Sequence, residues 1–160
     1  MSLWRPMRGA DIPAVAAISD AVHGAYTERA DIYAERLQLY PAGCWMLERV
    51  GAALGYLISH PWQGDQPPAL NAPILAIPAT ADRYYLHDLA LLPQARGTGA
   101  AADAVQLVVD HTDSAGFARI TLIAVNGADA FWRKQGFLPV ANNGVGYGKD
   151  SLAMERPVSQ

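Results

Sequence analysis

The chain contains little cysteine and little lysine, and each shortage excludes a class of protein. Its one cysteine, Cys44, makes neither an intrachain disulfide nor a cysteine-based metal site, and we expect no metal. Lys134 and Lys149 are the only lysines, and no run of basic residues accompanies the formal net charge of -3. A nucleic-acid partner is therefore not expected.

Long apolar runs are also missing. No stretch of 18 apolar residues could span a membrane, and residues 1–13 lack the apolar core of a secretory signal. We therefore expect a soluble, cytoplasmic protein without a membrane partner. The 160 residues, 51% of them hydrophobic and 17% charged, indicate a single globular domain over 1–160 with a sizeable core.

Apolar spacing and the positions of glycine and proline predict alternating helices and strands. The first two long strands are apolar on both faces, so helices should cover the sheet on both sides. The fold class is α/β, of the mixed α+β kind. Strands are predicted at 2–8, 44–50, 52–60, 83–92, 119–125, 137–141 and 150–156, and helices at 12–22, 31–40, 99–115 and 127–135.

A proline-rich segment, residues 61–82, interrupts this pattern. It holds five prolines and no clear period over more than 20 residues, which is unusual for a loop in a compact domain. Two interpretations are open with equal weight. The segment lines or covers the pocket of a second substrate, or it is an ordinary surface loop.

The central feature of the chain is the stretch 84–102, YYLHDLALLPQARGTGAAA. A buried strand is followed by a proline, a glycine-rich turn and the start of a long helix. This order places free backbone N–H groups at a helix N-terminus, where they favour an anion such as a phosphate. Glycines at 97 and 99 allow the backbone to approach a ligand closely.

The segment 97–102, GTGAAA, also satisfies the dinucleotide-binding pattern G-x-G-x-x-G/A. In that fold the first glycine directly follows a strand near the start of the domain. Here residues 93–96 intervene and the motif lies past mid-chain. A dinucleotide-dependent oxidoreductase is therefore only a distant alternative.

The segment 89–100 resembles the signature of the GNAT N-acetyltransferase superfamily, in which Q/R-x-x-G-x-G/A follows a strand and a proline. Gln94, Gly97 and Gly99 occupy its constrained positions. A second block, Asn126 followed by Phe131-Trp132 and Gly136-Phe137, is similar to the family's N…A-x-x-F-Y-x-x-x-G-F block. The order of predicted elements also resembles the family's.

The resemblance implies a central mixed, mostly antiparallel sheet that is splayed between two strands, and acetyl-CoA as co-substrate. The pantetheine arm of the cofactor would insert into the splay and pair with backbone groups of Leu89 and Leu91. Asn126 would contact this arm or order the gap. The residues that the resemblance assigns to cofactor binding are Leu89, Ala90, Leu91, Gln94, Arg96, Gly97, Thr98, Gly99, Ala100, Asn126 and Trp132.

His87 is the predicted catalytic base. Strand alternation predicts that Tyr85, His87, Leu89 and Leu91 share one face, with Asp88 on the other. Histidine is the side chain type that changes its charge near neutral pH, and the L-H-x-L-A run over 86–90 is similar to aralkylamine-type members of the family, in which histidines relay the proton. A buried, hydrogen-bonded structural histidine is the alternative.

The general acid is less well defined, because Trp132 occupies the place where many relatives carry a tyrosine. Tyr147 is the predicted acid, with Tyr26 and Tyr85 behind it. A rim aromatic is the alternative for Tyr147, since a thiolate can leave without an acid.

The sequence thus predicts direct transfer of an acetyl group to an amine of a small molecule or peptide. Tyr26, Glu35, His60 and Trp62 are weak candidates for the acceptor pocket. A non-catalytic acyl-CoA-binding sensor is the alternative from another class.

Overall fold

The computed structural model describes residues 3–140 and 150–158. The predicted acid, Tyr147, lies outside the described residues. The elements in chain order are β1 Trp4–Pro6, α1 Ile12–His23, α2 Ala30–Leu39, β2 Cys44–Arg49, β3 Ala52–Trp62, β4 Arg83–Leu91, α3 Ala100–Ser114, β5 Arg119–Ala124, α4 Asp129–Lys134, β6 Leu138–Pro139 and β7 Leu152–Pro157.

These strands form one sheet in the order β1-β2-β3-β4-β5-β7-β6. Every neighbouring pair is antiparallel except β4 and β5, which are parallel. The predicted mixed, mostly antiparallel sheet is therefore confirmed. No helix in the described part of the chain is long and apolar enough to cross a membrane.

Helices cover both faces of the sheet. This is shown by alternate residues of β3, which pack in two different hydrophobic clusters. Tyr56 and Ile58 of β3 pack in the cluster that includes Val15 of α1. Leu57, which lies between them, packs in the cluster that includes Val108 of α3. The two faces therefore divide the helices into an α1/α2 side and an α3/α4 side.

The parallel strands β4 and β5 separate soon after they meet. Their register consists of two pairs, Tyr84 with Ile120 and Tyr85 with Thr121. From Leu86 onward the two strands diverge, and no strand among the described residues pairs with this side of β4. The predicted splay in the sheet is thus present between β4 and β5, and we call it the strand gap.

A β-bulge in β4 changes which side chains share a face. Ile58 of β3 lies opposite Asp88 and Ser59 lies opposite Leu86, so His87 is an extra residue. His87 and Asp88 therefore both project to the α1/α2 side, where each hydrogen-bonds a residue of that layer. Leu89 returns to the α3 side. The predicted alternation, with His87 and Leu89 together and Asp88 opposite, is wrong at this point.

The proline-rich segment folds against α2 and the turn before it. The backbone N–H groups of Ile74 and Leu75 each donate to the Glu35 carboxylate over 2.9 Å. The N–H of Asn71 donates to Glu28 over 2.6 Å. These contacts hold the segment beside the sheet face that carries His87 and Asp88.

Candidate functional site

The strand gap contains a cavity of about 530 Å³. Its walls come from both diverging strands, from the end of α1 and from α4. Leu86 and Leu89 line it from β4, Leu122 and Ile123 from β5, and Trp132 from α4. An elongated, partly apolar ligand matches the shape and lining of this gap.

The register of β4 shows which backbone groups point into the gap. The N–H of Leu92 donates to the carbonyl of Leu54 in β3 over 2.8 Å. Alternation along an antiparallel pair then directs Ala90 toward β3, and Leu89 and Leu91 toward the strand gap. The backbone groups of the two predicted leucines therefore face the gap, and Ala90 faces its partner strand.

One of these groups is already occupied. The guanidinium of Arg96 donates to the Leu91 carbonyl over 3.2 Å, so this carbonyl already has one hydrogen-bond partner. The same contact places Arg96 at the end of the strand gap. Arg96 also lines a second cavity of about 320 Å³ at the start of α3, and it therefore marks where the two cavities meet.

The second cavity is built by the glycine-rich turn, and we call residues 96–102 the glycine cradle. Gly97 and Gly99 have φ values of 77° and 87°, a left-handed region where a side chain would be strained. Among the described residues, the N–H groups of Gly97, Thr98 and Gly99 have no hydrogen-bond partner. Three adjacent free donors at a helix start form a binding site for an anion.

Two further N–H groups of the cradle form hydrogen bonds within the turn. The Arg96 N–H donates to the Pro93 carbonyl over 3.1 Å, and the Ala100 N–H donates to the Thr98 hydroxyl over 3.3 Å. Thr98 also donates its hydroxyl to the Ala95 carbonyl over 2.6 Å. Thr98 thus braces the turn, so that the donors left for a ligand are those around the two glycines.

The remaining predicted cofactor residues surround the gap and cradle in different ways. Gln94 is exposed beside the cradle, and its carbonyl accepts a hydrogen bond from Arg49 over 3.3 Å. Asn126 lies just after β5, lines the strand gap and has a φ of 55°. Trp132 is 8% exposed and packs edge-on against Phe137, so it serves the core while one side faces the gap.

A third cavity, about 60 Å³, adjoins the strand gap on the α1/α2 side. We call it the histidine chamber, because it is built around two histidine–carboxylate pairs. It shares His23, His87, Asp88, Ile123 and Val125 with the strand gap. The remaining lining residues are Tyr26, Glu28 and Leu70.

The first pair joins His87 to Glu28, the residue preceding α2 by two positions. His87 Nε2 lies 2.6 Å from Glu28 Oε1, and the two side chains are 2% and 1% exposed. Burial opposes the charge of Glu28, but the cationic partner and hydrogen bond of His87 outweigh it and lower the Glu28 pKa to about 2. Glu28 is therefore ionised at neutral pH.

The second pair joins His23, the last residue of α1, to Asp88. His23 Nε2 lies 2.8 Å from Asp88 Oδ1, and the Tyr56 hydroxyl donates to Asp88 Oδ2 over 2.7 Å. Burial alone would lower the pKa of His23, but the charge and hydrogen bond of Asp88 raise it overall. Asp88 thus holds and polarises an imidazole at the junction of the gap and the chamber.

The predicted acceptor residues are only partly assembled here. Tyr26 lines the histidine chamber and is 45% exposed, and Trp62 lines a neighbouring cavity that also includes Ile123. His60 is 1% exposed, with Nδ1 bonded to the Pro61 carbonyl, and Glu35 holds the proline-rich segment. Leu70 brings the proline-rich segment to the chamber wall.

Sequence reasoning missed Glu28 and His23. Glu28 lies in the short connection between α1 and α2, and His23 closes α1 just before a glycine, so neither belongs to a motif. Their partners are 59 and 65 residues away along the chain. The only local signal for His23 was its position beside Gly24, where a helix ends and a side chain can turn toward the sheet.

A splayed sheet, a gap lined by both strands and an anion cradle at the end of that gap define a class of proteins that bind an elongated, phosphate-bearing ligand. The chain matches the model of the "Acetyltransferase (GNAT) family" over residues 14–137. It therefore belongs to this family. A comparison with curated protein sequences finds no match.

Solved structures share the fold at low sequence identity. A "GphF GNAT-like decarboxylase in complex with isobutyryl-CoA" superposes with a TM-score of 0.83 at 15% identity, covering 98% of this chain and 99% of that one. The ribosomal-protein-S18-alanine N-acetyltransferase from Escherichia coli gives 0.72 at 17%, covering 100% and 96%. Ard1 from Thermoplasma volcanium gives 0.75 at 13%, covering 98% and 97%.

Proposed function

We propose that this protein transfers an acetyl group from acetyl-CoA to the primary amine of a small molecule or peptide. The observation that carries the proposal is the continuity of three spaces. Arg96 belongs to both the glycine cradle and the strand gap, and His87 and Asp88 belong to both the gap and the histidine chamber. A cofactor held at one end can therefore present its thioester to an amine at the other.

In this proposal the pyrophosphate of CoA binds the free N–H groups of Gly97, Thr98 and Gly99. The dipole of α3 favours this anion by about 0.3–1 kcal/mol per charge at an exposed site. Arg96 adds a positive charge next to the phosphates. Gln94 lies at the outer edge of the cradle, and Ala100 starts the helix.

The pantetheine arm then runs along β4 in the strand gap. The Leu89 backbone faces the arm, Ala90 and Leu91 flank it, and Asn126 and Trp132 close the opposite wall. The N–H of Leu89 is directed into the gap by the strand register. It is a suitable donor for the oxyanion that forms when an amine attacks the thioester carbonyl.

His87 stays a predicted catalytic residue, and the contacts of its two ring nitrogens determine how a proton could reach it. Its Nε2 is bonded to Glu28, and its Nδ1 is buried and has no hydrogen-bond partner in residues 3–140 and 150–158. Direct proton transfer to His87 would require a water molecule or a side-chain movement to reach Nδ1. Tyr147 stays the predicted acid for the departing thiolate.

The family supports acyl transfer, the GNAT-like decarboxylase GphF supports an acyl-CoA ligand, and a named N-acetyltransferase supports an amine acceptor. The GphF structure contains isobutyryl-CoA, and the Escherichia coli protein is named as an N-acetyltransferase. At their levels of identity these proteins share the fold of this chain. The identity of the acyl group and the use of an amine acceptor are accordingly part of the proposal.

An acceptor screen tests the proposal. Acetyl-CoA is incubated with the protein and a panel of free amino acids, alkyl diamines and peptides with a free N-terminus, and the released thiol is measured. We expect thiol release that depends on one class of amine. Arg96→Gln should raise the KM for acetyl-CoA several-fold, while Arg8→Gln, at an exposed site on the chain's first turn, should not.

Two other outcomes would contradict the proposal. Thermal stabilisation by CoA and acetyl-CoA without amine-dependent thiol release would favour the alternative of a non-catalytic acyl-CoA sensor. Stabilisation by NAD but not by CoA would favour dinucleotide binding. The same samples serve all three measurements.

A further inference from the structure

The two histidines of the histidine chamber differ in which nitrogen a substrate could reach. His87 is 2% exposed in its side chain, and its unbonded Nδ1 is buried. The side chain of His23 is 17% exposed. Its Nδ1 has no hydrogen bond to any described residue and is not buried. Since His23 lines both the chamber and the strand gap, its Nδ1 is the accessible ring nitrogen.

The carboxylates of the chamber are occupied by the protein itself. Glu28 accepts from His87 on one oxygen and from the Asn71 N–H on the other. Asp88 accepts from His23 on one oxygen and from the Tyr56 hydroxyl on the other. Each carboxylate oxygen already receives a hydrogen bond, so both carboxylates act on neighbouring side chains rather than as open bases.

Asp88 also fixes the tautomer of His23. A carboxylate only accepts hydrogen bonds, so the His23 nitrogen that faces it, Nε2, carries a proton. In the neutral ring the lone pair is then on Nδ1. A carboxylate that holds one imidazole nitrogen protonated makes the other nitrogen a stronger and better oriented base.

We propose that Nδ1 of His23 takes the proton from the acceptor amine, with Asp88 as the residue that positions it. This inference rests on the proposed amine acetylation and names the group that the sequence did not predict. Tyr56 in turn fixes the Asp88 carboxylate. The Glu28–His87 pair forms the adjoining wall of the chamber.

The proton-transfer step balances as follows. The substrate ammonium gives one proton to His23 Nδ1, and the freed nitrogen lone pair attacks the thioester carbonyl carbon. The tetrahedral oxyanion re-forms the carbonyl as the C–S bond breaks, and sulfur leaves with the bonding electrons. The predicted acid, Tyr147, gives its proton to the thiolate and takes up the second proton from the nitrogen, and the His23 imidazolium releases its proton to solvent.

The charged and titratable groups around His23 support this role at neutral pH. They are Asp88 and His87 of β4, Tyr56 of β3, and Tyr26 and Glu28 of the connection between α1 and α2. Asp88 raises the pKa of His23, and the C-terminal end of α1 acts in the same direction. Both influences favour a proton on the ring, so His23 is a stronger base than a free imidazole.

The variant His23→Gln tests the proposal in steady-state assays with the acceptor amine. Glutamine can still donate to Asp88 but has no basic nitrogen. We expect kcat to fall by about 10²–10⁴-fold, with the KM for acetyl-CoA changed less than twofold and the ionisation of His23 lost from the pH–rate profile. His111→Gln is the matched control, since His111 bonds the Tyr40 hydroxyl at the end of α3, away from the chamber.

Two further variants separate a chemical role from a structural one. In His23→Ala, added imidazole should restore part of kcat, and kcat should rise with the concentration of neutral imidazole. A loss of activity caused by misfolding would not be restored in this way. In Asp88→Asn the apparent pKa in the pH–rate profile should fall. If His23→Gln keeps the wild-type kcat and pH profile while His87→Gln loses both, the proposal is overturned and the prediction for His87 gains.

Nitrogen NMR of histidine-labelled protein tests the arrangement without any acceptor. We expect neutral His23 to carry its proton on Nε2, with a pKa above that in Asp88→Asn. An Nδ1-protonated tautomer, or a pKa unchanged by Asp88→Asn, overturns the proposal. A wild-type protein that acetylates no amine refutes the proposed function itself, and an active His23→Gln refutes only the role of His23.

Discussion

Replacing Glu28 with glutamine probes the buried charge pair that forms one wall of the histidine chamber. Glutamine keeps a carbonyl oxygen for His87 but removes the negative charge. Its amide group would also face the Asn71 N–H, which now donates to a carboxylate oxygen over 2.6 Å, so two donors would meet. Both changes destabilise the folded protein, because a buried polar group without its partner is costly.

The magnitude follows from the acidity of Glu28. Its pKa is lowered from the ordinary value of 4.5 to about 2 because the cation and hydrogen bond of His87 outweigh burial. At about 1.4 kcal/mol for each pH unit, this difference corresponds to roughly 3 kcal/mol. The unfolded chain binds the proton more readily, so this stabilisation is complete above pH 4.5 and declines as the pH falls toward 2.

Urea unfolding between pH 2.5 and 7 would measure the effect in wild type and Glu28→Gln, with tryptophan fluorescence as the probe. We expect Glu28→Gln to be less stable by roughly 3 kcal/mol at pH 6–7, with the difference shrinking steadily below pH 4.5. Glu155→Gln is the matched control, because Glu155 pairs with Arg119 at 3.5 Å and is 31% exposed. Its effect should stay within about 0.5 kcal/mol. A Glu28→Gln protein whose stability follows the wild-type pH dependence would refute the reasoning.

Three further substitutions have expected outcomes. Gly99→Ala should weaken CoA binding several-fold by calorimetry and cost about 1–2 kcal/mol, because Gly99 has a φ of 87°; Gly9→Ala, with open space around it, should change neither. Gly55→Ala should cost about 1–3 kcal/mol in urea unfolding, since its Cβ would lie 2.7 Å from the Ala90 carbonyl oxygen; an unchanged midpoint would contradict this close approach. Trp132→Ala should cost about 3–5 kcal/mol, as expected for a large side chain that is 8% exposed, and Trp132→Phe clearly less; equal losses would argue against a packing role.

The parts of the fold that sequence analysis predicted well are those with a local cause. The apolar spacing of α3 and the glycine after it predict a helix at 99–115, and the structure has it at Ala100–Ser114. Gly97 and Gly99 announce left-handed backbone because glycine adopts it most readily. The glycine cradle could therefore be predicted from the sequence, because its residues are contiguous in the chain.

The parts that escaped prediction depend on distant partners. The bulge at His87 is a change of register between β3 and β4, located between Ile58 and Ser59. No residue type within β4 predicts it. Without the bulge, simple alternation assigns Asp88 to the opposite face. The same limit explains why the pairing of His23 with Asp88, across 65 residues, was invisible in the sequence.

The short contact between β4 and β5 has a mechanical consequence. Among the described residues, two residue pairs make up the strand pairing that joins β5, β7 and β6 to the rest of the sheet. Side chains of α3 pack against both β4 and β5. A molecule lying in the strand gap would connect β4 and β5, because it could form hydrogen bonds with backbone groups that the two strands do not form with each other. The stiffness of the sheet, and the rate at which the Leu89 amide exchanges its hydrogen with water, would then depend on the occupant of the gap.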